Sequence, residues 1–315
     1  MNQELTLDQY FRTWIETYKE PIVSKATYVK YQNTLKQIIK YFGEIPLSQI
    51  TTTSYQKALS EYSKTHAKLT VSCFHNQIHA CILDAIDEEI IKTDAARKAV
   101  IFGRNVEKEK IKCLDYDEWA SLVKATYNTD NIKDQIIYLS AVTGLRYAEI
   151  LGLTWDCIDF ANRKITINKT WDYKYHRGFI PTKNKGSKRT IDIDDNTIRM
   201  LLVHQEKQKT SIINPLNLVF LYIDGKQLYS ANINRYLLIL CENLSIRNIS
   251  FHSLRHTHAS VLLYQGVSIM AVSKRLGHSN TATTQNIYIH IIKEMENKEK
   301  TLIIKVLDNV FHYNQ

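Results

Sequence analysis

The sequence has no long apolar run and only five cysteines, and both shortages narrow what the chain can be. The apolar run at residues 218–223 is far shorter than the roughly 18 residues of a membrane helix, and the first ten residues form no basic-then-apolar leader. No C-x-x-C pair is present to hold zinc or to exchange thiols. We therefore expect a cytoplasmic protein whose cysteines are reduced and lie mostly in the core.

Several other signals are also missing from the sequence. We find no internal repeat, no low-complexity tract, no glycine-rich phosphate loop and no dinucleotide fingerprint. The length of 315 residues suggests two domains. The apolar content of 44% and the net charge of +9 are typical of a globular chain.

Positive charge is concentrated in one stretch, residues 163–189, which we call the basic segment. It contains nine basic residues and a single acid, Asp172, and so carries a charge of +8. Such a segment favours a polyanionic partner because binding to phosphates releases their condensed counterions. The alternative is a solvated charged hairpin. If the partner is DNA, the predicted contacts are Arg163, Lys164, Lys169, Lys174, Arg177, Lys185, Lys188 and Arg189.

The spacing of apolar residues predicts a mainly α-helical chain with a small antiparallel β-sheet. Four helices, near residues 5–18, 24–42, 55–62 and 71–91, would form an N-terminal domain over residues 1–105. A charged linker, 106–112, would lead to a second domain over residues 113–315. There we predict a helix capped by Asp115, a helix over 132–142 that ends at Gly144, and paired strands at 164–168 and 190–194.

Polar residues recur at spacings that suit a single active site. His252 and Arg255 are three residues apart, which places both on one face of a helix. Arg146 follows a predicted helix end and precedes Glu149 by three residues. We place His278 at a helix start.

Two arginines, two histidines, a lysine and a tyrosine suit the attack of a phenolic oxygen on a phosphodiester. Each arginine can donate two hydrogen bonds to nonbridging oxygens and stabilise a pentacoordinate transition state without a metal. A tyrosine of pKa about 10 needs a nearby base and a cationic pocket, and the leaving oxygen needs an acid. The candidate residues are Arg146, Lys183, His252, Arg255, His278 and Tyr288.

Five sequence boxes resemble the catalytic boxes of the tyrosine recombinase family, especially the integrases of temperate phages and conjugative transposons. The resemblance spans about residues 115–290, and the preceding helices resemble the core-type DNA-binding domain of that family. The boxes are TGLRYAEILGLTW, PTKNKGSKRTI, FHSLRHTHAS, RLGHSN and TTQNIYIH.

The resemblance implies a role for each residue that binds the scissile phosphate. Arg146 and Arg255 would clamp the phosphate, and His278 would donate a hydrogen bond to it. Glu149 would orient these groups without contacting the phosphate itself.

The resemblance also implies the proton transfers. Tyr288 would become joined to the DNA 3′ phosphate, Lys183 would protonate the 5′ leaving oxygen, and His252 would exchange a proton with the tyrosine. Because the phosphotyrosine stores the bond energy, no cofactor, neither ATP nor a metal, would be needed.

The implied partners are double-stranded DNA attachment sites and a DNA-bending or directionality accessory factor. The two domains would form a clamp around duplex DNA, and the chain would act as a homotetramer on paired sites. Two other functions stay open, which are relaxation of DNA as by a type IB topoisomerase and non-catalytic regulation on the same scaffold. An apolar stripe at residues 303–311 would dock on a neighbouring protomer or on its own domain.

Some of these residues also have simpler interpretations. His252 and His256 have the H-x-x-x-H spacing of a zinc site, although no acid occupies the turn between them. Lys185 or Lys188 could take the place of Lys183. Arg146 could simply cap a helix and pair with Glu149, and Tyr288 could be a buried aromatic.

Overall fold

The chain divides into two compact units, Met1–Glu109 and Lys110–Gln315. The computed structural model describes residues 4–104, 113–175, 178–182, 185–211, 213–221, 229–278, 280–282 and 284–285. The predicted linker, 106–112, lies outside the described residues. Within the described part of the chain, no helix is both long enough and apolar enough to cross a membrane.

The described residues of the first unit form four α-helices, as the apolar spacing predicts. They are α1 (Leu7–Trp14), α2 (Lys25–Phe42), α3 (Thr52–Ser63) and α4 (Lys68–Asp87). A five-residue π-helix, Ile15–Lys19, extends α1. The fourth helix ends before residue 91, where the prediction placed its end, because Glu89 adopts a left-handed φ of 59°.

Aromatic side chains fill the core of the first unit. Phe11, Trp14 and Tyr55 are almost completely buried. The indole nitrogen of Trp14 donates to the carboxylate of Asp84 at 2.5 Å, which ties α1 to α4. This packing explains why the aromatic-rich spacing of the first hundred residues predicted helices correctly.

The second unit contains seven helices among its described residues. They are α5 (Tyr116–Thr126), α6 (Ile132–Thr143), α7 (Tyr147–Leu151), α8 (Asp195–Ser211), α9 (Ser230–Asn243), α10 (Phe251–Tyr264) and α11 (Ile269–Leu276). The predicted caps are confirmed, because Asp115 accepts from the Glu118 amide and Gly144 ends α6 with a φ of 69°.

Gly144 lies where three helices approach one another. A Cβ at this position would be 2.8 Å from the imidazole of His258 and 2.8 Å from the side chain of Leu276. The positive φ and the close approach both require glycine here. The end of α6 is thereby packed against α10 and α11.

The sheet of the second unit is antiparallel and has the order β1 (Ile158–Asp159), β2 (Lys164–Ile167), β5 (Arg189–Asp192). Ile165 lies opposite Ile191, and both are buried. The predicted pairing is confirmed, with β5 beginning one residue earlier than expected. A separate two-stranded sheet, β3 (Lys169–Trp171) and β4 (Phe179–Pro181), lies in the segment that connects β2 to β5.

The cysteines are free, as predicted. Cys81, Cys157 and Cys241 are buried, Cys113 is half-buried, and Cys73 is exposed. The expectation that most of them lie in the core is therefore confirmed.

Candidate active site

Arg146 and Glu149 lie at the start of α7. Arg146 is the N-cap residue, and its backbone N–H donates to Oε2 of Glu149 at 2.9 Å. Its Nη1 donates to Oε1 at 2.7 Å. The side chain of Arg146 remains 34% exposed, whereas that of Glu149 is 1% exposed. Arg146 therefore occupies the N-cap position, pairs with Glu149 and still presents its guanidinium to solvent.

A second arginine, Arg189, holds the other side of Glu149. Its Nη1 and Nη2 donate to the two carboxylate oxygens, each at 3.0 Å. Burial alone would raise the pKa of Glu149, but the hydrogen bonds and charge of Arg189 and the charge of Arg146 lower it below its ordinary value. Glu149 is therefore an ionised carboxylate between two guanidinium groups.

This placement corrects the predicted role of Arg189 as a DNA contact. Its side chain is 5% exposed, and its Nε donates to the backbone carbonyl of Arg275 at 2.6 Å. A signal for this was present in the sequence, because alternation along β5 puts Arg189 on the same face as Ile191.

Arg255, on α10, is buried between the ends of two helices. Its Nη1 donates to the carbonyl of Gly144 at 2.9 Å, and its Nη2 donates to that of Leu276 at 2.6 Å. The C-terminal ends of α6 and α11 carry partial negative charge, which favours a cation there. These carbonyls fix the guanidinium in one orientation.

His278 follows the end of α11, so the prediction of a helix start at this residue is wrong. Gly277 ends the helix with a φ of 68°, and the next helical residue among those described is Thr281. Nδ1 of His278 lies 2.8 Å from Oγ1 of Thr284. Partial burial and the charges of Arg255 and Arg146 lower the pKa of His278 to about 4, so the imidazole is neutral near pH 7.

Three of the predicted residues line one cavity. It has a volume of about 270 Å³ and is lined in part by Arg146, His252, Arg255, Tyr147, Tyr173 and Asn234. Desolvation, together with the charges of Arg255 and Arg146, lowers the pKa of His252. The cavity therefore combines positive charge with a neutral imidazole that can accept a proton.

The structure thus brings three of the six predicted catalytic residues to one cavity, namely Arg146, His252 and Arg255. The charges of both arginines also lower the pKa of a fourth, His278. Lys183 and Tyr288 lie outside the described residues, as do Arg177, the side chain of Lys185 and the apolar stripe at 303–311.

The remaining predicted DNA contacts lie on the surface of the second unit. Lys164, Lys174 and Lys188 are exposed. Arg163 forms an exposed ion pair with an aspartate at 2.9 Å. Lys169 lies 3.9 Å from an aspartate oxygen, and its ammonium is 4.9 Å from an aromatic ring centre.

The two histidines of the possible zinc motif pack against each other. The ring centres of His252 and His256 are 5.0 Å apart, and the rings are nearly perpendicular. Over the described ranges, no group of three His, Cys, Asp or Glu residues is arranged to hold a metal ion.

A buried histidine, His258, and a half-buried arginine, Arg275, which the sequence analysis missed, connect several elements of the second unit. Nε of Arg275 donates to Nε2 of His258 at 3.0 Å, while Nδ1–H of His258 donates to the carbonyl of Ala141 at 3.1 Å. Arg275 also donates to the carbonyls of Asp192 and Val142. Because these acceptors are mostly backbone carbonyls, no residue pattern marks them in the sequence.

Comparison with known proteins decides the family. The Phage integrase family profile matches residues 112–295, more than half of the chain. The chain belongs to the phage integrase family. The profile for the phage integrase N-terminal SAM-like domain matches residues 6–63.

Relatives of this family align with nearly the whole chain. A XerC-like tyrosine recombinase of Caldanaerobacter subterraneus subsp. tengcongensis is 27% identical, and the alignment covers 98% of this chain and 84% of the relative. The integrase of Staphylococcus phage L54a is 26% identical, with 96% of this chain and 94% of the relative covered.

Solved structures show the same fold. The Tn1549 transposon integrase in complex with a circular intermediate DNA has a TM-score of 0.76 and 18% identity, over 93% of this chain and 99% of that chain. A lambda integrase tetramer bound to a Holliday junction has a TM-score of 0.64 and 17% identity, over 91% of this chain and 78% of that chain.

Proposed function

We propose that this member of the phage integrase family is a site-specific DNA recombinase. It cleaves and rejoins DNA through a covalent 3′-phosphotyrosine and thereby integrates or excises a mobile element. The observation that carries the proposal is the convergence of Arg146, His252 and Arg255 on one cavity.

Arg146 and Arg255 bind the scissile phosphate in this mechanism. Their charges stabilise the additional negative charge of the pentacoordinate transition state. Arg255 is held by the carbonyls of Gly144 and Leu276, so its position is set before DNA binds. Preorganisation of this kind lowers the barrier because no dipole must reorient during the reaction.

His278 donates a hydrogen bond from Nε2–H to a nonbridging oxygen. A neutral imidazole can do so only if Nδ1 is an acceptor, and the hydroxyl of Thr284 is placed to donate to it. Its pKa of about 4 keeps His278 in this neutral form near pH 7.

Tyr288 is the nucleophile. Its phenolic oxygen forms a bond to phosphorus while His252 accepts the phenolic proton, and the bond from phosphorus to the 5′ oxygen breaks. Lys183 gives a proton to that leaving oxygen. Resealing reverses these steps when a 5′ hydroxyl attacks the phosphotyrosine, so the reaction consumes no ATP and uses no metal.

Two rounds of strand exchange require four active sites on paired DNA sites. We propose a homotetramer in which the first unit binds the core-type sequence and the basic segment contacts the phosphate backbone. The similarity to a lambda integrase tetramer bound to a Holliday junction supports this assembly. An accessory factor that bends DNA or sets the direction would act on the same complex.

A suicide substrate tests the proposal. The chain is incubated in EDTA with a duplex of the element's own end that carries a nick next to the cleavage site. After cleavage, the short fragment that bears the new 5′ hydroxyl diffuses away. We expect a protein–DNA adduct that survives SDS with the wild-type chain and none with Tyr288→Phe, which should still bind the DNA. A wild-type chain that binds the duplex without forming an adduct would instead be a regulator on this scaffold.

The topoisomerase hypothesis predicts a different requirement for DNA sites. A recombinase needs two specific sites, whereas a type IB topoisomerase relaxes supercoiled plasmids that have none. We expect the wild-type chain to join two attachment sites and to leave a site-free plasmid supercoiled. Efficient relaxation of the site-free plasmid would favour the topoisomerase.

A further inference from the structure

We propose that Arg189 is a positioning residue for strand cleavage. It binds Glu149 and offsets the negative charge of that carboxylate, so that Arg146 presents its full positive charge to the cavity. This inference rests on the proposed function, because its readout is cleavage of DNA.

Arg189 is held on every side by protein atoms. Besides the two bonds to Glu149, its Nε donates to the carbonyl of Arg275 and its Nη1 donates to that of Ser187 at 3.1 Å. A Cβ on Gly277 would lie 3.0 Å from both Cδ and Nη1 of Arg189, so the backbone here is close to the guanidinium. With a side chain that is only 5% exposed, Arg189 is placed to act on Glu149 rather than on DNA.

Glu149 accepts from two arginines at once. Oε1 receives Nη1 of Arg146 and Nη1 of Arg189, while Oε2 receives the backbone N–H of Arg146 and Nη2 of Arg189. One carboxylate between two guanidinium groups gives the trio a net charge of +1. Without Arg189 the trio would be neutral, and the carboxylate would cancel the charge that Arg146 presents to the cavity.

The geometry explains why arginine stands at this position. Only a guanidinium can contact both carboxylate oxygens in parallel, whereas a lysine ammonium offers a point charge. Lysine would therefore keep the charge of the trio and lose the fork that orients Glu149.

The first variant, Arg189→Met, neutralises the trio. At saturating protein we expect the single-turnover rate of cleavage of the suicide substrate to fall about 100-fold. This is the upper end of the loss of activity seen when a residue that orients a directly contacting group is removed. Affinity for the DNA should stay within about twofold, because the side chain of Arg189 is only 5% exposed and its guanidinium is bonded to Glu149. Arg189→Lys should recover part of the rate.

The second variant, Arg189→Met with Glu149→Gln, separates positioning from folding. It removes both buried charges, so neither is left uncompensated, and it restores a net charge of +1 through Arg146 alone. We expect this double variant to cleave at least ten times faster than Arg189→Met. A purely structural role for Arg189 predicts no such rescue.

Lys188→Met provides the contrast expected of a phosphate contact, namely weaker DNA binding that depends less on salt. The proposal is overturned if Arg189→Met cleaves at the wild-type rate, if it loses DNA affinity as Lys188→Met does, or if the double variant is no faster than the single one. An absence of adduct with the wild-type chain would instead overturn the proposed function, and this inference with it.

Discussion

At the residue scale, the contact between His278 and Thr284 brings a hydroxyl to one nitrogen of the imidazole. Thr284 is fully buried, and its hydroxyl lies 2.8 Å from Nδ1 of His278. In the proposed mechanism this hydroxyl donates to Nδ1, which leaves Nε2–H to donate to the phosphate.

We therefore expect Thr284→Val to slow single-turnover cleavage roughly tenfold. This is the lower end of the loss of activity seen when a residue that orients a directly contacting group, here His278, is removed. Valine keeps the shape of threonine and removes the hydroxyl. Thr284→Ser keeps the hydroxyl and should cleave within about threefold of the wild-type rate. Equal rates for the valine and serine variants would contradict this role of the hydroxyl.

Side-chain spacing predicted part of the site and missed another part. The i, i+3 spacing of His252 and Arg255 was sufficient to place both on one helix face beside the cavity. Arg189 was misassigned because it belongs to a run of basic residues, and its burial depends on the register of β5. The proton state of His278 could not be predicted, since it depends on charges that the fold brings near.

At the element scale, Arg275 connects α6, α10, α11 and β5. It lies on α11, donates to His258 on α10, and also donates to the backbone carbonyls of Asp192 and Val142. Burial lowers its pKa, with the charge of Arg189 acting in the same direction.

Arg275→Met should destabilise the second unit by about 3 kcal/mol, because it leaves a buried imidazole nitrogen and two carbonyls without their donor. The free energy of unfolding, measured by urea denaturation with tryptophan fluorescence, checks this value. Lys274→Met, at the exposed neighbouring position on α11, is the matched control and should change stability by less than about 0.5 kcal/mol. A similar loss in both variants would argue against the specific contacts.

Helices were predicted better than the small strands. Caps such as Asp115 and the left-handed glycine at 144 mark helix ends directly in the sequence. Strands β3 and β4 have three residues each, which is too short for alternation to be recognised. The prediction that a helix starts at His278 is wrong because Gly277 marks the end of α11, and the next described helical residue is Thr281.

At the scale of the whole molecule, buried neutral histidines make stability depend on pH. Burial, together with the charge of Arg275, lowers the pKa of His258 to about 3. Below pH 6.5 the unfolded chain binds a proton at this residue while the folded chain does not. The contribution of His258 to the free energy of unfolding is therefore fully present above pH 6.5 and decreases as the pH falls below it.

Between pH 7 and pH 5, His258 should account for a loss of about 2 kcal/mol in the free energy of unfolding. His258→Gln can still accept from Arg275 and donate to Ala141, but it does not titrate. Urea denaturation of both chains at the two pH values should show a loss that is about 2 kcal/mol smaller in the variant. An equal loss in both chains would assign the pH dependence to other groups.

The most direct measurement identifies the residue that becomes joined to DNA. Trypsin cleaves after Arg275 and Lys293, and the peptide 276–293 contains a single tyrosine, Tyr288. After trapping on the suicide substrate and digestion with nuclease and trypsin, mass spectrometry should find this peptide carrying a 3′-linked nucleotide on Tyr288. A nucleotide found on any other residue, or an adduct that forms at full yield in Tyr288→Phe, would contradict the proposed chemistry.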